Sequence, residues 1–264
     1  MRFINEEPRH EAGFFIASSV LGGRCMHPRV PWLVRKLYGY RLHRSMPIPC
    51  AVKTALSPAR MSTYEARAVS TGRDPAAALA LYAWNARICG ALLTPLHICE
   101  VVVRNAVAEA LESTHGPLWP WNSGFERSLP RQAGPGYNAL GDLQAVRKKM
   151  TTTGQVIAEL KFVFWERMFT SRHDHRLWNR HLKRVLPNLD VTRTTAEHRK
   201  DIFEDLNKIR LLRNRIAHHE PIFARNLLDD FRVIQHLVKA RCSVCAQWMH
   251  AQQQVIATLE QRPF

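Results

Sequence analysis

Several signatures of familiar chemistry are missing from this 264-residue chain, and each absence closes a route. No G-x-x-x-x-G-K-[ST] occurs, so there is no phosphate-cradling loop for nucleotide hydrolysis. Neither H-E-x-x-H nor D-x-D-x-D-G is present, and carboxylates do not cluster. His173-Asp174-His175 stands alone as a surface-like triplet, so no metal and no cofactor is expected. No serine or cysteine has nucleophile-elbow surroundings. No run of eighteen apolar residues is found, which argues against a membrane span and a membrane partner. Convincing period-two alternation is also absent, so the expected fold class is all-α. Acidic residues are in short supply: 22 Asp and Glu face 38 Lys and Arg, leaving a net charge of +16. An excess of that size points to an anionic partner, of which nucleic acid is the usual one.

What is present is unevenly distributed. Residues 1–60 hold ten Lys and Arg against three Glu. Prolines at 8, 28, 31, 47 and 49 interrupt this region, and its arginines follow no helical period. Residues 1–53 therefore read as a basic, disordered N-terminal arm, or as a stretch of doubtful translation, since Met46 and Met61 offer later starts. A single domain is expected over 54–264. The apolar stretch Phe14 to Leu21 follows three glutamates and lacks a clear cleavage site, so it does not read as a signal peptide. The expected location is the cytoplasm. There the six cysteines, including the lone C-x-x-C at Cys242 and Cys245, are read as reduced thiols.

Helical stripes run through the body. Asp74-Pro75 is an N-cap followed by proline at the first helical position. Leu81, Trp84, Ile88 and Leu92 then mark one face, and Thr94-Pro95 either kinks that helix or begins another. Leu96, Cys99, Val103, Ala106 and Leu111 carry the stripe on. Glu100, Arg104 and Asn105 lie within it as polar residues, either an ordinary i,i+4 ion pair or part of a site. His115 to Gly141 is rich in glycine and proline and forms a long connection, with Trp119 and Trp121 as anchors. Helices are expected again over Gly141–Met150, Gln155–Phe169, a short stretch around Leu177–Leu186, from about Thr195, and from Ala224 to Leu259.

The helix from Thr195 carries the densest chemistry. Ile202, Leu206, Ile209, Leu212 and Ile216 form its buried stripe. Pro221 disfavours helical geometry just before it, so the helix should stop near His219 or Glu220. Arg213, Asn214, His218, His219 and Glu220 thus crowd its last turns. Arginine offers a fork of donors that fits phosphate, and histidine can take up or release a proton near neutrality. A solvated helix face, or cations favoured by the helix dipole, is the plain alternative. Spacing alone does not decide between them.

Arg213-Asn214-x-x-x-His218 resembles the R-x4-H signature of the HEPN superfamily of RNases. The longer string Leu211–Phe223 resembles the motif of the Abi-like (Abi_2) family of bacterial abortive-infection proteins, of the AbiD and AbiF type. Three further segments agree in order: Asp74-Pro75 to Trp84-Asn85; Glu100-Val101-x-x-Arg104-Asn105-Ala106; and Phe162-x-x-Trp165-x-x-Met168-Phe169 followed by Leu177-Trp178 and Pro187-Asn188. The resemblance covers about residues 55–260. It implies a HEPN-like helical bundle, a homodimer in which motifs from two subunits share a cleft, and a metal-independent endoribonuclease acting in phage defence. By the same resemblance, Arg213, Asn214 and His218 are the catalytic residues. His219, Glu220, Glu100, Arg104 and Asn105 are supporting residues. RNA is the expected partner, with a small RNA or an antitoxin as a further one. The alternative is a non-catalytic RNA-binding module that holds a small RNA.

Overall fold

The computed structural model describes residues 48–131 and 136–264. Among them every regular element is helical and there is no strand, so the chain is all-α. The arm expected at 1–53 lies outside the described residues as far as residue 47. The boundary drawn at 53/54 falls inside the first described helix, α1 (Ile48–Leu56), which packs on α2 (Pro58–Ser70). Lys53 fastens the pair, reaching Glu65 at 2.8 Å and the carbonyl of Pro75 at 3.3 Å.

The hub is α3 (Ala78–His115), 38 residues long. It is entered as its sequence suggests: the Asp74 carboxylate accepts from the Ala76 N–H at 2.6 Å, and Pro75–Ala77 forms a 3-10 turn ahead of the helix. Pro95 does not end it. Proline lacks an N–H to return to the carbonyl four residues back, yet the ring is buried and the helix continues past it. An 18-residue window of this helix has a mean hydropathy of 1.5, so by length and composition it could cross a membrane, contrary to the expectation that no stretch qualifies. The expectation counted unbroken apolar runs, whereas an average tolerates scattered polar residues. In this fold the apolar stripe of α3 is buried within the bundle.

Around α3 pack α2, α7 (Phe162–Arg167), α8 (Asn179–Val185), α9 (Thr195–Ala217), α10 (Leu227–Arg241) and α12 (Val255–Glu260). Of the short helices, α6 (Thr153–Glu159) and α11 (Ser243–Gln252) also touch α3, α5 (Ala139–Arg147) packs on α7, and α4 (Ser123–Ser128) on the turn that precedes it. The expected long connection therefore holds a 3-10 turn at Trp119–Trp121 and α4. Of its two tryptophan anchors only Trp119 is buried; Trp121 is 37% exposed. Two expected helices are broken. Leu160, with ψ at 135°, separates α6 from α7, and the extended backbone at Cys242 and Gln253 divides the last helical region into three. Cys242 caps α11, its sulfur accepting from the Cys245 N–H at 3.4 Å, and both thiols are free.

α9 is set at both ends. Thr194 and Glu197 form a reciprocal capping box at its start. Ile202, Leu206, Ile209, Leu212 and Ile216 are all buried, as their spacing requires. Midway, Arg210 bonds the carboxylate of Glu166 from α7 and donates to Asn207 at 2.6 Å. Glu166 is only 1% exposed, so this charge depends on its partner.

Candidate functional site at the end of α9

The last turn of α9 closes by a backbone pattern that explains two of the predicted residues. The Glu220 N–H reaches the Arg215 carbonyl at 2.8 Å and the His219 N–H reaches Ile216 at 3.0 Å, the paired bonds of a Schellman cap. Such a cap needs one residue in left-handed conformation, and here it is His219, with φ at 56°. Glu220 lies beside Arg215 at 3.5 Å, an ion pair across the turn. His219 and Glu220 thus shape the helix end.

Two distant residues hold that end in place. Arg60, from the first turn of α2, donates to the His219 carbonyl at 2.6 Å. Asn85, buried on α3, accepts from the Ile222 N–H at 2.9 Å. Sequence reasoning missed both roles. Asn85 carried a signal, since it is a polar residue interrupting the Leu81–Trp84–Ile88 stripe. Arg60 carried none, because 159 residues separate it from its acceptor.

Arg213 and His218 are exposed and Asn214 is half-buried. Among the described residues no carboxylate lies within ion-pairing reach of Arg213 or His218. No hydrogen bond joins the side chains of Arg213, Asn214 and His218 to one another. The guanidinium and the imidazole are therefore both available to a ligand at one helix end.

Glu100, Arg104 and Asn105 stand further along α3 than Asn85. Burial pushes the Cys99 thiol up to about 12, and the carboxylates of Glu100 and Asp205 add to the effect. Ile216, Ala217 and His219 line a cavity with Asn85, Cys89 and Leu93. Glu100, Arg104 and Asn105 stand seven, eleven and twelve residues beyond Leu93 on α3, about 10 to 18 Å at 1.5 Å per residue. Asp205 is eight residues from Arg213 and thirteen from His218, about 12 and 20 Å at 1.5 Å per residue. None of Glu100, Arg104 and Asn105 lines the cavity beside the end of α9. Glu100 and Arg104 do not form the i,i+4 ion pair, and the Arg104 Nε is buried without a hydrogen-bond partner.

A second cationic feature lies further along the bundle. Arg172, Arg176, Arg180 and Lys183 recur at steps of three and four and are all exposed. The nearby acids are committed: Asp174 binds Arg199 at 3.0 Å, and Glu109 binds Arg184 at 2.6 Å. The four remaining cations have no carboxylate partner among the described residues. His173, from the triplet expected to be surface-like, is instead buried. Burial first, then the charges of Arg172 and Arg176, pulls its pKa down to about 4. His115 is held below its ordinary value by burial and by Arg176. This ridge is joined to the start of α9 through Arg199. It lies nineteen residues, about 28 Å, before His218 along that helix.

Comparison with known proteins adds no neighbour: no protein-family model, curated protein or solved structure matches this chain.

Proposed function

We propose that the protein is a metal-independent endoribonuclease of the HEPN, Abi-like kind, working as a homodimer in abortive-infection defence against phage. The observation that carries the reading is the uncommitted pair Arg213 and His218 at a helix end fixed by Arg60 and Asn85. In the reaction, the ribose 2′-oxygen bonds to the adjacent phosphorus and the bond from phosphorus to the 5′-oxygen breaks. The products are a 2′,3′-cyclic phosphate and a 5′-hydroxyl. His218 takes the 2′-hydroxyl proton, and the same histidine of a second copy supplies one to the leaving oxygen. Arg213 holds the phosphate oxygens as charge develops on them. Asn214, half-buried beside them, orients the phosphate. The exposed ridge of Arg172, Arg176, Arg180 and Lys183 supports a polyanionic substrate that extends beyond the cut.

The test is cleavage of mixed RNA in EDTA, with analysis of the ends. Wild-type protein is expected to leave cyclic phosphate and 5′-hydroxyl ends, and Arg213→Ala or His218→Ala to leave few. Equal cleavage by wild type and variants removes these residues from the chemistry. A monomeric mass by light scattering removes the shared cleft. One observation favours a second reading, the holding of a small RNA without cutting it: no carboxylate orients the His218 imidazole. In that case both variants lose affinity and wild type produces no new ends.

A further inference from the structure

Directly beside the end of α9 is a cavity of about 400 Å³, at the small end of the roughly 300–1,000 Å³ usual for ligand pockets. Its walls come from α2, α3 and α9: Tyr64, Tyr82, Asn85, Cys89, Leu93 and Ala217 are among them. The lining is mainly apolar, but its polar groups have bonding capacity to spare. The Asn85 amide cannot turn round, because its oxygen is held by the Ile222 N–H. Its nitrogen is thereby directed the other way, where its one partner is the Cys89 sulfur at 3.8 Å, a weak acceptor. Tyr64 is 1% exposed, and its hydroxyl makes no hydrogen bond among the described residues. Tyr82 packs edge-on against Tyr64, ring centroids 5.1 Å apart, and is itself only half-buried. Gly90 leaves the wall open, since a Cβ there would meet nothing within 4 Å. Cations stand close in sequence to this lining: Arg87 on α3, Arg213 on α9, and Arg60, which holds the His219 carbonyl.

We propose that this cavity is a nucleobase subsite, in which Tyr82 stacks on the base of a single-stranded RNA and the Asn85 amide donates to a base carbonyl. The inference rests on the nuclease reading for its place beside the reacting phosphate. A planar aromatic ring with an acceptor on its edge suits an apolar slot with one fixed donor, and unpaired RNA bases are held in this way by aromatic side chains. The adjoining cations suit the phosphates on either side of that base. Bases with a ring carbonyl, such as uracil and guanine, satisfy the donor. Adenine has none and leaves it unpaired.

The test uses the full chain with His218→Ala, so that affinity is read without cleavage. The probes are three labelled oligoribonucleotides of equal length, one uridine-rich, one adenosine-rich and one abasic. Adding Tyr82→Ala is expected to weaken binding of the uridine strand by about 5- to 150-fold, the range for loss of one stacked base. Binding of the abasic strand should not change. Tyr82→Phe should keep most of the affinity. Asn85→Asp retains an oxygen for Ile222 but replaces the donor, and should erase a preference for uridine over adenosine strands. Equal loss on the uridine and abasic strands, or no loss on either of them, overturns the proposal. A change of molar mass in Tyr82→Ala assigns the cavity to a second copy of the chain and overturns it too. Base-dependent loss, together with wild-type protein that yields no cut ends, upholds the subsite and removes the nuclease reading alone.

Discussion

Among the described residues the side chains of Arg213 and His218 have no ion-pair or hydrogen-bond partner, so their value to the protein is expected to be chemical. Alanine at either position should leave unfolding stability within about 0.5 kcal/mol of wild type, as for an ordinary surface change. Cleavage should fall, for His218 by on the order of 10²–10⁴-fold, the usual contribution of a positioned acid or base. Thermal melts beside rate measurements check both halves, and a large stability loss would show that the pair is structural. His173 is the opposite case, buried and uninvolved in the proposed reaction. Its folded pKa lies near 4 against 6.5 for the exposed side chain. Between those values the unfolded chain takes up a proton that the folded protein refuses, so acid favours unfolding. Stability is expected to be complete above about pH 6.5 and to fall toward pH 4, by at most about 3 kcal/mol. Urea midpoints measured across that window should decline less steeply for His173→Gln.

At the scale of elements, α9 depends on a buried charge as much as on its apolar stripe. Glu166 is held by Arg210, one turn before Asn214. Arg210→Met leaves that carboxylate buried and unpaired, and should cost about 3–5 kcal/mol. Replacing both members with methionine should recover much of the loss, because no lone charge then remains. Urea titration of the single and double variants distinguishes this from a simple packing defect, which the double change would worsen. The ends of this helix were legible to within a few residues: a start at about Thr195 and, from Pro221, a stop near His219 or Glu220, against the observed Thr195–Ala217. The pairing of Glu166 with Arg210 was not, since 44 residues separate them and nothing local links them.

For the whole molecule, the ridge and the helix end make separable contributions to RNA binding. Each cation on a phosphate releases a counterion, giving a slope of about −0.7 per contact in log affinity against log salt for a single strand. Changing Arg172, Arg176, Arg180 and Lys183 together to glutamine should make that slope shallower by up to about 3. Tyr82→Ala should weaken binding with little change in slope, because it removes stacking and no charge. Filter binding between about 50 and 200 mM salt reads both effects. An unchanged slope in the ridge variant would mean that RNA does not run along it.

The sequence by itself determined the all-helical class and the buried faces of the long helices α3 and α9, because periodicity, caps and prolines act within a few residues; it did not yield α1, α2 and α4 or the breaks at Leu160, Cys242 and Gln253. It also determined that Arg213 and His218 would share a terminus, since five positions on one helix have a fixed separation. Only the tertiary structure decided that Arg60 and Asn85 hold that terminus in place. It likewise decided that Tyr64 and Tyr82 open a cavity beside it. Spacing fixes where a side chain stands on its own helix; which helix lies alongside, and in which direction it runs, depends on the packing of the whole bundle.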